Sequence, residues 1–464
     1  MQMLLSEIAD VVGGKLIGKD AAISSASIDT RILKPGDLYF GIKGETFDGN
    51  DFIAEAERAG ALAAIVHQGV TATVPYIAVA DTRLALAKFA GAWRKKAPVS
   101  VVGVTGSNGK TTVKEMVAAI LSVNAKVLYT QGNLNNDIGV PLTLLRLNEA
   151  HQYGVIEMGA NHAGEIEYTS AYTQADVVII TNAGAAHIEG FGSLDGVAAA
   201  KGEIIKTLKP DGVAVINRDD NYFDYWKSVA GNRKVLSFGL HEQADVTAQS
   251  IKTEIISKRD GENAGVNVAR FATTFQLVTA QGRTDCTLQL AGRHNVVNAL
   301  AAAAATMALG IEPDQVRQGL ETLKPVTGRL QPLVGRKGNI VIDDTYNANS
   351  ASLKAGLDVL AELGGEPWLV LGAFAELGPD SLKIHEQMGE LIKSSSVVRL
   401  LAMGSDAKKT VEAFGKGASF FETQEELIAS LQQELTGNET ILIKGSRMRR
   451  MENVAAALVA NFRV

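Results

Sequence analysis

Apolar runs alternate with stretches of helical periodicity along much of the chain. Ser100 to Val104 is a β-branched run followed by a Gly-rich stretch, and the apolar residues of Thr111 to Val123 then repeat at helical spacing. This order of strand, loop and helix recurs downstream and is typical of βαβ units, so it predicts a parallel sheet. Further predicted strands are Gly154 to Glu157, Val177 to Thr181 and Val213 to Asn217, and further predicted helices lie near Gly164 to Tyr172 and Ser193 to Leu208.

The regions on either side of this segment have their own patterns. Residues 1–97 mix helices with short strand-like runs, at Ala61 to His67 and Tyr76 to Val79. Residues 233–291 look antiparallel, with strands at Phe271 to Val278 and Cys286 to Leu290, and a helix from His294 to Leu309 follows. From residue 340 the alternation restarts, with strands predicted at Ile340 to Ile342, Trp368 to Leu371, Leu400 to Met403 and Thr440 to Ile443.

Prolines mark the two predicted domain boundaries. Pro98 follows a basic segment, and Pro325 follows Leu323 and Lys324. A proline disfavours the helical conformation in the residue before it, so a helix tends to end there. A chain of 464 residues is also long enough for about three domains. We therefore predict α/β domains over residues 1–97, 98–324 and 325–464, the last wound in the Rossmann manner.

Composition narrows the class of protein. With 45 Lys and Arg against 51 Asp and Glu, the formal net charge is −6, so no overall field favours nucleic acid or an anionic membrane. The single cysteine, Cys286, excludes an intramolecular disulfide and a cysteine metal cluster. The N-terminus lacks signal-peptide features, and the apolar stretch Val296 to Leu309 is shorter than the roughly 20 residues that span a bilayer. These features predict a soluble cytoplasmic protein with no nucleic-acid or membrane partner.

The segment Gly103 to Thr112 lies between a predicted strand and a predicted helix, the context of a phosphate-binding loop. Glycines let the backbone N–H groups point at phosphate oxygens, and the helix N-terminus adds positive potential. Lys110 would neutralise the β- and γ-phosphates, and Thr111 would offer its hydroxyl to Mg²⁺. The alternative is an ordinary Gly-rich turn with a solvated lysine. The predicted ATP-binding residues of this loop are Gly106, Ser107, Asn108, Gly109, Lys110, Thr111 and Thr112.

The loop departs from the common G-x-x-x-x-G-K-[ST] pattern, because Val104 stands where the first glycine is expected. Its sequence T-G-S-N-G-K-T-T resembles that of the Mur ligases and the related folylpolyglutamate synthetases, which activate a carboxylate as an acyl phosphate and capture it with an amine. The resemblance extends over nearly the whole chain. Gly132 to Pro141, Ile342 to Asn349 and Lys444 to Arg447 are similar to the family member that adds D-alanyl-D-alanine to UDP-N-acetylmuramoyl-tripeptide.

The resemblance implies an ATP-dependent, C–N-bond-forming ligase of peptidoglycan synthesis, using ATP and Mg²⁺. It also implies three α/β domains: a small N-terminal UDP-binding domain, a central parallel-sheet P-loop ATPase domain and a C-terminal Rossmann-like domain. Ile28 to Arg31 and Gly44 to Gly49 look like the family's UDP-sugar module, with Thr30 replacing the commoner serine. The implied substrate-binding residues are Thr30, Arg31, Gly44, Phe47, Asp48, Asn135, Asn136, Tyr346, Asn347, Lys444 and Arg447.

Some of these residues also have a local alternative. Instead of binding the UDP-sugar, Asp29, Arg31 and Asp48 would then be turn residues and a surface ion pair, since Asp and Gly are common in turns for local backbone reasons. Lys444 and Arg447 follow a predicted strand at the carboxyl end of a sheet, where open α/β folds bind ligands. There one or both of them would hold the free carboxylate of the dipeptide, unless they are solvated basic residues at a helix start.

The predicted catalytic residues are Lys110, Glu157, His187 and Lys201. Mg²⁺ prefers oxygen ligands, and Thr111 with Glu157 at a strand end are the candidates for one ion. The resemblance implies a second ion at His187 and at Lys201, whose amine would carry CO₂ as a carbamate. Taken alone, Lys201 reads as a solvated lysine on a helix.

The nucleotide contacts outside the loop are implied by resemblance alone. Asn298 would contact adenine, and Arg329 and Asp344 would contact ribose and the γ-phosphate. The chain departs from the family at two positions: Ser350 stands where proline is usual, and Ala373 where a carboxylate is usual. The second departure weakens any polar role at that position.

Other functions compete with this one. A sibling ligase would add a single amino acid or glutamate, a small-molecule kinase would release ADP without forming an amide, and a nucleotide sensor would keep the loop without turnover. The sequence leaves open whether the tripeptide carries meso-diaminopimelate or lysine at its third position. We expect a monomer.

Overall fold

The computed structural model describes residues 2–44, 46–184, 188–259, 267–324, 327–375 and 377–459. The chain folds into two compact units. The first comprises Met1–Thr247, Val278–Gly282 and Asn298–Gly319, and the second comprises Ala248–Leu277, Arg283–Val297 and Leu320–Val464. Residues 98–324 are thus shared between the units, and the boundaries at 97 and 324 stay predictions.

The first unit begins with a small mixed sheet. Strands β4 to β7 pair in parallel in sequence order, β2 joins the edge at β7 antiparallel, and β1 pairs separately with β3. The strands are β1 (Met3–Leu4), β2 (Lys15–Ile17), β3 (Ala22–Ile23), β4 (Ala26–Ser27), β5 (Leu38–Phe40), β6 (Ala63–His67) and β7 (Tyr76–Val79). The helices are α1 (Leu5–Val12), α2 (Ile53–Arg58) and α3 (Thr82–Lys96), and a 3₁₀ turn spans Gly49–Phe52.

A parallel sheet with strand order β13-β12-β11-β8-β10-β9 follows in the same unit. Its strands are β8 (Ser100–Thr105), β9 (Val127–Tyr129), β10 (Tyr153–Glu157), β11 (Val177–Ile180), β12 (Val213–Asn217) and β13 (Lys234–Phe238). The helices are α4 (Lys110–Ser122), α5 (Gly139–Leu144), α6 (Glu165–Thr173), α7 (Ile188–Phe191), α8 (Leu194–Lys206) and α9 (Phe223–Ala230).

The central strands are apolar throughout because they are buried. All four residues of β11 are buried, as expected where helices cover both faces of a parallel sheet. In register, Glu157 of β10 lies beside Val104, and Ile180 of β11 lies beside Thr105. The carboxyl ends of β8, β10 and β11 therefore meet at one edge of the sheet, where ligands bind in such folds.

After β13 the chain forms a three-stranded sheet in the order β14-β15-β16. A two-residue connection joins β15 to β16, which makes that pair antiparallel, as the sequence predicted for this region. The elements are β14 (Thr247–Arg259), β15 (Asn267–Thr279), β16 (Gly282–Leu288), α10 (Arg293–Ala308) and α11 (Pro313–Thr322).

The last sheet has strand order β17-β18-β22-β19-β20-β21 and is parallel except for β17, which pairs antiparallel with β18. Its strands are β17 (Gln331–Val334), β18 (Ile340–Asp344), β19 (Glu366–Gly372), β20 (Arg399–Met403), β21 (Ala418–Phe421) and β22 (Glu439–Lys444). Its helices are α12 (Ser350–Glu362), α13 (Ser381–Lys393), α14 (Ala407–Phe414), α15 (Gln424–Glu434) and α16 (Glu452–Leu458), with 3₁₀ turns at Gly378–Asp380 and Arg447–Arg449. Apolar clusters cover both of its faces.

The predicted strands and helices are present with boundaries shifted by a few residues, and the α/β class is confirmed. Strands β9, β13, β17 and β21 were not predicted from the sequence. Within the described ranges, none of the helices has the length and apolar character needed to traverse a bilayer.

Candidate functional site

The phosphate loop connects the end of β8 to the start of α4. Gly109 is the residue before the helix and has a φ of 82°, which favours glycine. A Cβ atom at Gly109 would lie 2.5 Å from Oδ1 of Asn298, so this glycine lets the loop approach α10 closely. Asn298, predicted to contact adenine, thus lies against the loop.

The neighbouring segment 181–184 holds the loop in place. Asn108 N–H donates to Oδ1 of Asn182 at 3.0 Å, and its carbonyl accepts from the Thr181 hydroxyl at 2.6 Å. The Ser107 hydroxyl accepts from Gly184 N–H at 2.9 Å. Gly106, with a φ of 145°, leaves room for Thr181, whose Oγ1 would be 1.9 Å from an added Cβ. These hydrogen bonds fix the conformation of the loop between β8 and α4.

A cavity of about 170 Å³ lies beside this loop. It brings together predicted residues of the phosphate loop, the pair Asn135 and Asn136, and Lys201. The Lys110 ammonium donates to the carbonyls of Gly106 and Ser107, at 2.8 and 3.2 Å. The lining residues are Gly106, Ser107, Lys110, Asn135, Asn136, Gly159, Ala160, Asn161, Glu165 and Lys201.

Glu157, at the end of β10, is buried close to the loop. Its Oε1 accepts from the Thr111 hydroxyl at 3.3 Å and from Nδ2 of Asn135 at 2.9 Å. Its Oε2 is buried without a hydrogen-bond partner in the described part of the chain, and the nearest cation is the Lys114 ammonium at 3.9 Å. A buried carboxylate oxygen without a partner is costly unless something binds it. The site therefore fits a divalent cation between Thr111 and Glu157.

Lys114 is a buried charge that was not predicted from the sequence. Its side chain is 1% exposed, and its ammonium donates to the Thr130 carbonyl at 2.7 Å and pairs with Glu115 at 3.0 Å. Thr130 in turn accepts from the Glu157 N–H at 3.0 Å. Lys114 thus makes its closest contacts with Thr130 and Glu115, and at 3.9 Å it forms an ion pair but no hydrogen bond with Oε2 of Glu157.

Lys201 lies on α8 and is 3% exposed, so it is not the solvated lysine that its sequence context suggests. Burial, together with the nearby Lys110 ammonium, lowers the pKa of Lys201 to about 8. Its ammonium lies 5.2 Å from the centroid of the Phe191 ring. His187, the other predicted ligand of a second ion, lies outside the described residues.

The metal prediction rests on few ligands. Among the described residues, no group of three or more His, Cys, Asp or Glu side chains is arranged to hold a metal ion. Mg²⁺ commonly takes only one or two protein ligands and completes its shell with phosphate and water, so the pair Thr111 and Glu157 is sufficient for one ion.

In the first domain, the local alternative accounts for several predicted residues. Arg31 forms a two-pronged ion pair with Asp29 at 2.6 to 3.2 Å, and the Arg31 side chain is 86% exposed. The Asp48 carboxylate accepts from Asn50 N–H and caps a 3₁₀ turn. The Gly44 N–H donates to the Phe47 carbonyl at 2.9 Å, and Phe47 is 63% exposed. An exposed aromatic side chain on this turn is able to stack on a base or a sugar. Thr30 lies between Asp29 and Arg31 in the sequence.

In the second unit, the structure brings Asp344 and Lys444 together. The Lys444 ammonium is buried and donates to Oδ2 of Asp344 at 2.6 Å and to the Asn347 carbonyl at 3.2 Å. Arg329 stacks on the Tyr346 ring at 4.3 Å, and its Nε is buried without a partner in the described residues. Lys444 thus already has a carboxylate partner within the protein.

Arg447 differs from Lys444 in its surroundings. It lies in the 3₁₀ turn after β22, its side chain is 67% exposed, and it pairs with Glu452 at 3.3 Å. Of the two predicted dipeptide ligands, Arg447 is the one with donors open to solvent.

The segment after β10 also belongs to the cavity, and it was not predicted from the sequence. Gly159, Ala160, Asn161 and Glu165 line the cavity beside Lys110 and Lys201. Their position directly after Glu157, at the carboxyl end of a central strand, was the signal that could have identified them.

Three family descriptions match the chain. "Mur ligase family, catalytic domain" matches residues 22–94, "Mur ligase middle domain" matches 104–306, and "Mur ligase, glutamate ligase domain" matches 328–447. Together they cover most of the sequence, including the phosphate loop.

Relatives and solved structures agree with these matches. UDP-N-acetylmuramoyl-tripeptide--D-alanyl-D-alanine ligase of Escherichia coli (strain K12) is 43% identical over 467 residues, covering 99% of each chain, and that of Bacillus subtilis (strain 168) is 32% identical, covering 98% of each. MurF from Acinetobacter baumannii matches with a TM-score of 0.88 and 36% identity over 98% of both chains. MurF ligase from Thermotoga maritima in complex with ADP matches with a TM-score of 0.80 and 28% identity, over 94% of this chain and 97% of that one.

Proposed function

This chain belongs to the Mur ligase family of ATP-dependent ligases, and from that premise we propose that it joins D-alanyl-D-alanine to UDP-N-acetylmuramoyl-tripeptide. The product is the UDP-linked pentapeptide precursor of peptidoglycan. The proposal rests mainly on the 43% identity, over 99% of this chain, to a relative whose name states this reaction. The lysine-lined cavity at the phosphate loop supports it.

The reaction proceeds in two transfers. A carboxylate oxygen of the tripeptide attacks the γ-phosphorus of ATP, ADP leaves, and an acyl phosphate forms. The dipeptide amine then attacks the acyl carbon, phosphate leaves, and the nitrogen loses a proton to give the amide. Negative charge on the γ-phosphoryl oxygens increases during the first transfer, and Lys110 on a fixed loop stabilises that charge without reorganising.

Mg²⁺ fits this site through Thr111 and Glu157. Oε2 of Glu157 lacks a partner in the described chain, and the Thr111 hydroxyl lies 3.3 Å from Oε1 of the same carboxylate. The bound ion would neutralise phosphate charge. Asn135 supports this arrangement by orienting Oε1 with a 2.9 Å hydrogen bond.

For a second ion we propose His187 and carbamylated Lys201. Carbamylation requires the neutral amine, and a pKa of about 8 leaves roughly a tenth of Lys201 in that form at pH 7, whereas an ordinary lysine is almost wholly protonated there. The carbamate would present two oxygens on the wall that also carries Lys110.

For the remaining ligands, the UDP moiety binds the first domain through Thr30, Arg31, Gly44, Phe47 and Asp48. The nucleotide binds the loop together with Asn298, and Arg329 and Asp344 stay predicted nucleotide contacts. Tyr346, Asn347, Lys444 and Arg447 form the dipeptide site, with Arg447 as the direct carboxylate ligand because its donors are exposed. We further propose a cytoplasmic monomer.

The test is a product assay with purified protein, ATP, Mg²⁺ and the UDP-tripeptide. D-Alanyl-D-alanine should drive ADP release and give a product whose mass is that of the pentapeptide. If a free amino acid drives turnover as well as the dipeptide does, the chain is a sibling ligase. ADP release without an amide product would make it a kinase.

A further inference from the structure

The cavity beside the phosphate loop has a mixed electrostatic lining. Lys110 and Lys201 are its cations, and Asn135, Asn136 and Asn161 contribute neutral amides. Among the described residues that line it, Glu165 is the single acidic side chain. The lysines suit phosphate and carboxylate groups, but none of the roles assigned so far requires a carboxylate at this wall.

The Glu165 carboxylate has a fixed orientation. Oε2 accepts from the Asn161 N–H at 2.8 Å, and Oε1 lies 3.1 Å from Nδ1 of His162. Burial alone would raise the pKa of Glu165, but these hydrogen bonds outweigh that effect and lower the pKa below its usual value. The group is therefore an anion held by its own loop.

A second carboxylate fixes that loop. Glu203 on α8 accepts from the Gly164 N–H at 2.8 Å and from the Glu167 N–H at 3.1 Å, and so caps the first turn of α6. Glu165 is the first residue of that helix. Because the turn is anchored, the Glu165 carboxylate is held at the cavity wall.

The carboxylate also has unused capacity. An ionised carboxylate offers about four acceptor positions, and the hydrogen bonds from the Asn161 N–H, the His162 N–H and the His162 ring use three of them. No lysine or arginine in the described part of the chain forms an ion pair with Glu165. The remaining position and the negative charge suit a primary ammonium group, which brings a donor and a positive charge.

We propose that Glu165 binds a primary ammonium group of one of the two substrates at this cavity. The source is either the α-ammonium of the incoming dipeptide or the side-chain ammonium of the third residue of the UDP-linked peptide. This rests on the proposed function, which supplies both groups. Its consequence is that one substrate is selected by charge close to the reacting phosphate.

The test compares Glu165→Gln with wild type in the full chain, measuring ADP release while each substrate is varied. The amide keeps an acceptor for Asn161 and removes the charge. The KM for one amine-bearing substrate should rise about tenfold or more, because a charge-assisted contact is lost. The KM for ATP and the Mg²⁺ requirement should not change, and Glu165→Asp, which keeps the charge, should be less affected.

Glu167→Gln is the matched control. Glu167 is on the same helix, pairs with Lys206 at 3.1 Å and does not line the cavity, so its neutralisation should leave both KM values unchanged. A UDP-tripeptide analogue with an apolar third side chain separates the two sources. If Glu165 binds that residue, the analogue should bind wild type and Glu165→Gln equally well. If Glu165 binds the dipeptide, only the KM for the dipeptide should rise.

Three results would overturn the inference: unchanged KM values, a fall in kcat alone, or a raised Mg²⁺ requirement, which would make Glu165 a metal ligand. Wild-type protein that forms no product from both substrates would instead refute the proposed function, before any variant is compared.

Discussion

Lys201 shows how burial gives a single residue its chemistry. Its pKa of about 8 means that the neutral amine predominates above that pH and the ammonium below it. Carbamylation by dissolved CO₂ should therefore increase as the pH rises from 7 to 8.5. A carbamate signal should appear in the ¹³C NMR spectrum of protein equilibrated with ¹³C-bicarbonate, and Lys201→Arg should lack it.

Activity provides an independent readout for Lys201. Lys201→Ala should lose most turnover while still binding ATP, and acetate at high concentration should restore part of it by supplying carboxylate oxygens. A fully active Lys201→Arg would mean that no carbamate is needed.

One or both of Lys444 and Arg447 were predicted to hold the dipeptide carboxylate, and the surroundings of the two residues differ. Lys444 is buried and paired with Asp344, so Lys444→Ala should leave a poorly solvated carboxylate and lower the free energy of unfolding by about 3 kcal/mol. Arg447 is exposed, so Arg447→Ala should leave stability nearly unchanged and raise the KM for D-alanyl-D-alanine severalfold. Urea denaturation and steady-state kinetics on both variants check this pair of outcomes. Equal loss of stability in both would contradict it.

The conformation of the phosphate loop depends on the close approach of its backbone at Gly109 to Asn298 on α10. Gly109→Ala places a side chain at a φ of 82° and 2.5 Å from Asn298. ADP affinity, measured by calorimetry, should fall together with stability. Gly69→Ala is the control, because its φ of 92° is similar but nothing lies within 4 Å of the added Cβ. That variant should lose only about 1 kcal/mol of stability and bind ADP normally.

A buried arginine on α3 connects this helix to a distant part of the chain. Arg94 is buried, and its guanidinium donates to the carbonyls of Thr173 and Gln174 and to the Asp176 carboxylate. These contacts join α3 to the central sheet within the first unit.

Arg94→Met should lower the free energy of unfolding by about 2 kcal/mol, because it leaves buried acceptors without donors. Urea denaturation would measure the loss. Lys95→Met, at the exposed neighbouring position on the same helix, should change it little. A comparable loss from both variants would show that Arg94 has no special role.

Much of the fold was predictable because its signals are local. The alternation of buried strands and amphipathic helices repeats at short range, and the central and last parallel sheets follow from it. β17 was missed because it is a short edge strand containing Pro332, and its pairing with β18 is what makes it a strand. Strand order could not be predicted either, since neighbouring strands such as β18 and β22 are about a hundred residues apart in sequence.

The phosphate loop, the family and the class of reaction can all be inferred from the sequence, because strand, loop and helix are contiguous there and the glycine positions constrain the backbone. Tertiary structure alone decided which side chains share an environment. It placed Glu157 beside Thr111, buried Lys201 close enough to Lys110 to lower its pKa, and set Glu165 on the cavity wall. Burial and electrostatic coupling depend on distances in space between residues that are far apart in the chain, and spacing along the sequence does not contain those distances.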